Sequence, residues 1–142
     1  MALYFADEAI VVTNPEVSSV RDSDRILGIL NSKSRRAERG EGPMKQHLLL
    51  TRYDLDRVAK GEMLKLDDVV EILSIPVLGV IPQDDMVLQC SNLGLPVVLE
   101  PKSIAGQAYM DAVRRLMGET VELRFTTPPK KSFVNWLLRR TA

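Results

Sequence analysis

Val77-Leu78-Gly79-Val80-Ile81-Pro82 is an almost uninterrupted apolar run that ends at a proline. A short run of this kind, rich in branched side chains, is typical of a strand buried on both faces. Residues 9–13 (Ala-Ile-Val-Val-Thr) and 47–53 (His-Leu-Leu-Leu-Thr-Arg-Tyr) have the same character. We therefore predict three short buried strands.

Apolar residues at helical spacing fill the intervals around these runs. Residues 15–39 have this spacing, with Asn14 or Pro15 at the start and Gly40-Glu41-Gly42-Pro43 after the end. Residues 66–73, with acids in the first turn, and residues 103–117 are two further predicted helices. Residues 1–7 are interpreted as the last turns of another helix.

Strands that alternate with helices predict a parallel sheet, because each connection must cross back over the sheet to start the next parallel strand. We therefore expect an α/β fold in which helices flank a parallel sheet. Three strands make a narrow sheet, and only a short helical segment precedes the first. This layout indicates the second half of a larger α/β domain.

The end of the chain is a basic amphipathic segment, Lys-Lys-Ser-Phe-Val-Asn-Trp-Leu-Leu-Arg-Arg, at residues 130–140. On a helix its large apolar side chains share one face, and no acidic residue follows Glu122. A segment this short cannot cross a bilayer, so we predict a helix that lies on an anionic membrane. A helix packed on the core of its own chain is the alternative. The predicted membrane-binding residues are Lys130, Lys131, Phe133, Val134, Trp136, Leu137, Leu138, Arg139 and Arg140.

These features divide the chain into an α/β part at residues 1–125, a linker at residues 126–129 and the tail at residues 130–142. Thr-Thr-Pro-Pro in the linker is a stiff polar spacer.

The 142 residues suffice for one domain, and the net charge of zero gives no general attraction for nucleic acid. We expect no signal peptide at residues 1–8, which lack a basic start and a long apolar segment.

Catalytic and metal-binding motifs are absent from the sequence. There is no phosphate-binding Gly-x-x-x-x-Gly-Lys-Ser/Thr loop, no Gly-x-Ser-x-Gly and no His-Glu-x-x-His. One cysteine, Cys90, and one histidine, His47, cannot form a usual zinc site, and a single cysteine fits a reducing cytosol. We expect both residues to be structural.

Two clusters of charged residues are better explained by helix ends than by chemistry. Asp67-Asp68 and Asp84-Asp85 are expected to begin helices, where the helix dipole favours negative charge. The basic cluster at residues 33–39 is interrupted by Glu38. We expect that cluster to be a solvated helix end rather than a phosphate site.

The residues that end the second and third strands are the more informative site candidates. Ligands of open parallel sheets bind outside the carboxyl ends of the strands. Arg52 can stack on a planar base, while the backbone around Pro82 and the carboxylate of Asp84 can offer hydrogen-bonding groups to the edge of the base. Loops after strands are commonly polar, however, so an ordinary solvated loop remains an alternative.

Several longer stretches resemble the MinD branch of the deviant-Walker ParA/MinD family, the membrane-associated ATPases of bacterial division-site selection. The most specific stretch is Asn-Pro-Glu-Val-Ser-Ser-Val-Arg-Asp at residues 14–22, preceded by Ala-Asp-Glu-Ala at residues 6–9. Residues 48–53, 79–82 and 91–97 and the amphipathic tail also match the family pattern. The resemblance covers essentially the whole chain, but only the C-terminal half of the family.

The resemblance implies a set of functional positions in this sequence. Base-contacting residues are implied at Arg52, Pro82 and Asp84. Dimer-facing or partner-facing positions are implied around Ser18, Arg21, Asp22 and Met63. The phosphate-binding loop, the switch segments and the magnesium-site aspartate of the family belong to its N-terminal half, upstream of the position that aligns with Met1. We therefore expect the chain alone to bind no cofactor well and to catalyse no hydrolysis.

In the intact family, the resemblance implies ATP and magnesium as cofactors and a homodimer that forms on the membrane. It also implies recruitment of the MinC inhibitor and release by MinE. The expected location is the cytoplasm, peripheral on the cytoplasmic face of the inner membrane, and no nucleic acid is expected as a partner. The alternative is a non-enzymatic membrane adaptor that keeps the tail and the partner helix without the ATPase.

Overall fold

The computed structural model describes residues 4–127, which form one parallel sheet with helices on both faces. The strands pair in the order β1-β2-β3, with Val11 beside Leu48 and Leu50 beside Val80. The elements in chain order are β1 (Glu8–Thr13), α1 (Val17–Lys33), α2 (Arg35–Arg39), β2 (Lys45–Tyr53), α3 (Leu55–Ala59), α4 (Leu66–Leu73), β3 (Val77–Pro82), α5 (Asp85–Asn92) and α6 (Ile104–Leu116), with a short 3₁₀ turn, Val97–Leu99, before α6.

The predicted fold class is confirmed, and so are most of the element boundaries. β3 and α4 have the predicted bounds, and β1 and β2 begin one and two residues earlier than predicted. The predicted helix 103–117 is α6 with its two caps, because Ser103 is the N-cap and Met117 the C-cap. α3 was not predicted. Its five residues depend on Asp54, whose side chain accepts hydrogen bonds from the backbone of Asp56 and Arg57.

The prediction of one continuous helix over residues 15–39 is wrong. α1 ends at Lys33, and Ser34 is extended, with ψ 155°. The buried Ser34 hydroxyl accepts a hydrogen bond from Ala37 N at 3.2 Å and thereby caps a separate helix, α2. The predicted start is also wrong, since the N-cap is Glu16 rather than Asn14 or Pro15.

Of the helical turns predicted at residues 1–7, the structure describes residues 4–7, where Tyr4 is 3₁₀-helical and the next three residues are not helical. The Tyr4 and Phe5 rings pack edge to face with 4.9 Å between their centroids, and the Arg35 guanidinium lies over the Phe5 ring. Contacts with α2 therefore help to position this segment.

The main core lies between the sheet and the pair α1 and α4. Leu48 and Leu50 from β2 are fully buried there beside Val20 of α1 and Val69 of α4. On the opposite face, α6 packs closely on β3. A Cβ at Gly79 would lie 2.8 Å from the Ala112 Cβ, so this close approach requires glycine in β3.

β1 lies at one edge of the sheet, and one of its faces is open in the described part of the chain. Ile10 and Val12 alternate with the buried Val11 and Thr13 and are 43% and 59% exposed. Parallel strands are normally covered on both faces. The open face therefore leaves apolar surface in contact with water.

No helix within residues 4–127 is both long and apolar enough to cross a membrane.

Candidate functional site

The carboxyl ends of β2 and β3 bring the three predicted base-contacting residues together. Arg52, Pro82 and Asp84 line one pocket of about 370 Å³, which we call the base-side pocket. The other lining residues are Thr51, Ile81, Gln83, Asp85, Val87, Leu88, Ser91 and Tyr109. Its wall combines the flat ring of Tyr109 with the exposed aliphatic side chains of α5, which suits a planar, partly apolar ligand such as a nucleobase.

Arg52 reaches this pocket through an irregularity in β2. Between the pairs Leu50–Val80 and Tyr53–Pro82, β2 holds one more residue than β3, so the strand bulges. Arg52 has φ +57°, a left-handed conformation that non-glycine residues rarely adopt. Such strain is concentrated at functional sites in proteins. The exposed guanidinium is placed where it can stack on a ligand ring.

Asp84 is held in place by three hydrogen bonds. Its Oδ1 accepts from Met86 N at 2.9 Å, and its Oδ2 accepts from Ser103 Oγ at 2.6 Å and from Ala105 N at 3.1 Å. A carboxylate has about four acceptor positions, so Oδ1 keeps one for a ligand. Asp84 therefore joins the starts of α5 and α6 and leaves limited capacity for direct recognition.

The ionisation of Asp84 follows from the same contacts. Burial by itself raises the pKa of this carboxyl group, but the hydrogen bonds from the Ser103 hydroxyl and from nearby backbone N–H groups outweigh it. The net effect holds the pKa of Asp84 below its ordinary value. The side chain is therefore a carboxylate at neutral pH.

Pro82 and Gln83 connect the two strand ends. Pro82 is buried, and Gln83 N donates a hydrogen bond to Tyr53 O at 2.9 Å. The Tyr53 hydroxyl oxygen in turn accepts a hydrogen bond from Leu66 N at 3.2 Å. The pocket wall is thus tied to β2 and to the start of α4.

The predicted partner-facing residues fall in two places. Ser18, Arg21 and Asp22 lie on the exposed side of α1, and Asp22 shares a shallow groove with Arg52. Met63 lies in the loop between α3 and α4 and is 8% exposed. The structure therefore places Asp22 beside Arg52, whereas Met63 is mostly buried and lines a pocket with Glu16 and Val17 near the start of α1.

The chain after α6 is clamped against the domain by two arginines. Arg115 donates hydrogen bonds to Leu78 O at 3.0 Å and to Val121 O at 2.7 Å. Arg124 Nε donates to Asp111 Oδ2 at 2.6 Å. Sequence reasoning missed this clamp, although Asp111 could have signalled it, since it lies seven positions after Ile104 on the apolar stripe of α6.

The predicted structural roles of Cys90 and of the acidic pairs are borne out. Cys90 is buried, and Asp84 and Asp68 accept hydrogen bonds at the starts of α5 and α4.

His47 lies 2.6 Å from a Glu8 carboxylate oxygen, and this hydrogen bond holds the pKa of Glu8 below its ordinary value. In residues 4–127, no three His, Cys, Asp or Glu side chains are grouped as metal ligands.

The membrane-binding prediction for residues 130–142 lies outside the residues that the structure describes, as does part of the predicted linker. The last described residue, Thr127, lines a groove with Gln83 and Phe125. The described chain therefore ends close to the carboxyl ends of the strands.

Known proteins provide an independent comparison. The chain is 63% identical over 137 residues to the septum site-determining protein MinD of Escherichia coli strain K12, a match that covers 96% of this chain and 51% of that protein. The chain thus spans about half the length of the curated relatives it matches. No family model matches the chain.

Solved structures agree with the sequence match. The MinD cell division protein of Aquifex aeolicus superposes with a TM-score of 0.77 at 38% identity, over 87% of this chain and 49% of that one. The MinC:MinD cell division protein complex of the same organism superposes with a TM-score of 0.74 at 39% identity, over 84% of this chain and 46% of that one. The septum site-determining protein MinD of Pyrococcus horikoshii, in complex with Mg-ADP, superposes with a TM-score of 0.62 at 25% identity, over 78% of this chain and 41% of that one.

The fold therefore defines the class: the chain is similar to part of an α/β domain of the ParA/MinD type of P-loop NTPase. Within this class the match is specific. The chain corresponds in sequence and in fold to the C-terminal half of the division-site protein MinD.

Proposed function

We propose that this chain supplies the base side of an adenine-nucleotide site in a MinD-like division-site protein. The observation that carries the proposal is the convergence of Arg52, Pro82 and Asp84 on one pocket at the strand ends. Arg52 stacks on the ring, and the free acceptor position of Asp84 Oδ1 and the Pro82 backbone face its edge. The Mg-ADP complex of the Pyrococcus neighbour supports a nucleotide as the ligand class.

The phosphate chain and magnesium require groups that this sequence does not carry, since no phosphate-binding Gly-x-x-x-x-Gly-Lys-Ser/Thr motif occurs in it. Those groups provide most of the affinity and nearly all of the stabilisation of the transition state in phosphoryl transfer. The proposed role of this chain is therefore recognition of the base, with ATP hydrolysis assigned to an assembly that also contains the phosphate site.

The amphipathic tail is proposed to attach this assembly to anionic lipid on the cytoplasmic face of the inner membrane. A single short tail binds weakly, but two tails on one dimer raise the avidity by orders of magnitude without new contacts. ATP-dependent dimerisation would then set the time spent on the membrane. In this scheme, release by MinE follows hydrolysis.

The exposed residues Ser18, Arg21 and Asp22 on α1 are proposed as the partner-facing surface. Asp22 shares a groove with Arg52, so a partner bound at this end of the surface is close to the base-side pocket. The MinC:MinD neighbour supports a MinC-type protein as one partner of this family.

A fluorescent adenine nucleotide tests the base-side pocket in the 142-residue chain. We expect weak binding that Arg52→Ala abolishes and that Arg25→Ala leaves unchanged, because Arg25 is exposed on α1 and does not line this pocket. Equal binding by both variants would contradict the proposed site. Absence of nucleotide binding together with intact vesicle binding would favour the non-enzymatic adaptor.

A further inference from the structure

A groove of about 930 Å³, which we call the tail-side groove, lies next to the base-side pocket. Its floor is apolar, and its rim is acidic. The apolar lining residues are Tyr53, Leu55, Ala59, Pro82, Ile104, Leu123 and Phe125, and the acidic ones are Asp54, Asp56 and Asp85. Gln83, Arg124 and Thr127 complete the lining.

The charge of this tail-side groove is complementary to the C-terminal segment of the same chain. Arg124 is the basic residue in the lining, and its guanidinium is paired with Asp111, so the three carboxylates dominate the rim. Residues 130–140 carry four basic residues, no acidic ones and an apolar set that contains Phe133 and Trp136. An acidic rim around an apolar floor matches a basic amphipathic segment.

The tail also starts at this groove. Thr127 lines it, and Phe133 follows six positions later, which is within about 20 Å even for an extended chain. The Arg115 and Arg124 clamp holds residues 121–124 against β3 and α6, and Phe125 has φ +63°. The clamp fixes the point from which the tail departs, so a high effective concentration favours binding to this groove.

We infer that the tail-side groove is an intramolecular docking site for residues 130–142, and that docking competes with membrane binding. The apolar face of the tail can be buried in the groove or in lipid, but not in both at once. Vesicle affinity is then reduced in proportion to the docked fraction. The membrane part of this inference rests on the proposed lipid binding of the tail, whereas docking itself does not.

The groove also shares a wall with the base-side pocket, since Pro82, Gln83 and Asp85 line both. Asp84 fixes this shared segment to α6 through Ser103. Occupancy of one site therefore acts on the same backbone segment that borders the other.

Trp136, the single tryptophan, reports docking in the full chain without lipid. We expect its emission to be blue-shifted and shielded from iodide relative to the chain unfolded in denaturant. Asp56→Lys and Ile104→Gln should each move the emission toward the unfolded value. The matched controls are Asp67→Lys, an exposed first-turn acid of α4, and Met110→Gln, which is 48% exposed against 39% for Ile104 and lies outside the groove.

Vesicles containing anionic lipid give the second readout. Asp56→Lys should raise the affinity of the full chain at least about threefold over that of Asp67→Lys, which adds the same charge outside the groove, because only Asp56→Lys also weakens the docked state. Circular dichroism checks that each variant is folded. Trp136 emission equal to that of the unfolded chain would overturn docking, and so would a blue shift that the groove variants leave unchanged. Docking with unchanged vesicle affinity would overturn the competition alone.

Discussion

Asp84 and Ser103 are 19 positions apart in the sequence and are joined by a 2.6 Å hydrogen bond from the serine hydroxyl to the aspartate carboxylate. The same serine hydroxyl accepts from Gly106 N at 2.9 Å and caps α6, while Asp84 caps α5. Two adjacent caps thus hold the base-side pocket and the tail-side groove in one geometry.

Asp84→Ala should destabilise the fold by about 2–4 kcal/mol, because it leaves the Ser103 hydroxyl and two backbone N–H groups without their acceptor. Chemical denaturation measures the change. Asp85→Ala, which removes the neighbouring exposed carboxylate, is the control and should change stability by less than about 1 kcal/mol. Equal effects of the two substitutions would contradict the double-cap interpretation.

The lowered pKa of Asp84 predicts an acid dependence of stability. A carboxyl group whose pKa is lower in the folded state stabilises the fold above its unfolded pKa, about 3.9. That contribution is lost as the pH falls from about 4 through the folded pKa. Unfolding free energies measured across this range should fall more steeply for the parent chain than for Asp84→Asn, and parallel curves would contradict the assignment.

Arg124→Ala should cost about 1–3 kcal/mol, since it leaves the buried Asp111 carboxylate without its ion-pair partner. Adding Asp111→Asn should recover part of the loss by removing the buried charge. Arg114→Ala breaks the exposed pair with Glu119 and should cost less than about 1 kcal/mol. Urea denaturation of the three variants compares them, and no recovery in the double variant would argue against a buried unpaired charge.

Alanine substitutions at two helical glycines should have opposite effects on the stability of the fold. A Cβ at Gly106 would lie 2.5 Å from Val97 O, so Gly106→Ala should destabilise the fold by about 1–3 kcal/mol. At Gly28 in α1 nothing lies within 4 Å, and Gly28→Ala should stabilise by about 0.5–1 kcal/mol through helix propensity. Thermal melts measure both, and the same sign at the two positions would contradict the packing of α6 on the 3₁₀ turn.

The open face of β1 predicts that the 142-residue chain associates in solution. Val12→Lys places a charge on this exposed apolar strand and should reduce aggregation without lowering the melting temperature. Light scattering during concentration, compared with Val87→Lys on α5 as a control for added charge, tests the assignment. A parent chain that stays monomeric with a cooperative thermal transition would show that the open face is tolerated.

The sequence predicted the elements whose pattern is local. β3 and α4 were predicted with their observed bounds. A continuous apolar run indicates the strand, and helical spacing of apolar residues after acidic residues in the first turn indicates the helix, and each pattern is complete within a few residues. The break at Ser34 was missed because it depends on a buried hydroxyl that caps a second helix, and spacing alone runs through it. α3 was missed because five residues are too few for a periodic pattern.

The candidate site divides in the same way. The order of strands and helices predicted that Arg52, Pro82 and Asp84 lie at the carboxyl ends of two strands, and the rule for parallel sheets predicted that a ligand binds outside those ends. The left-handed backbone of Arg52, the engagement of Asp84 with Ser103 and Ala105, and the burial of Met63 arise from contacts between distant segments. A linear sequence carries no local signal for such contacts.

The sequence by itself therefore determined the α/β class, the parallel sheet and the basic amphipathic character of the tail, because these depend on composition and short-range periodicity. Its similarity to half of MinD rests instead on the match of particular stretches of residues. Only the tertiary structure decided that one carboxylate caps two helices, that Arg124 neutralises a buried aspartate, and that the pocket and the groove share the segment from Pro82 to Asp85. The physical reason is that burial and hydrogen-bond partners are properties of neighbours in space, which the chain acquires only when its strands and helices pack together.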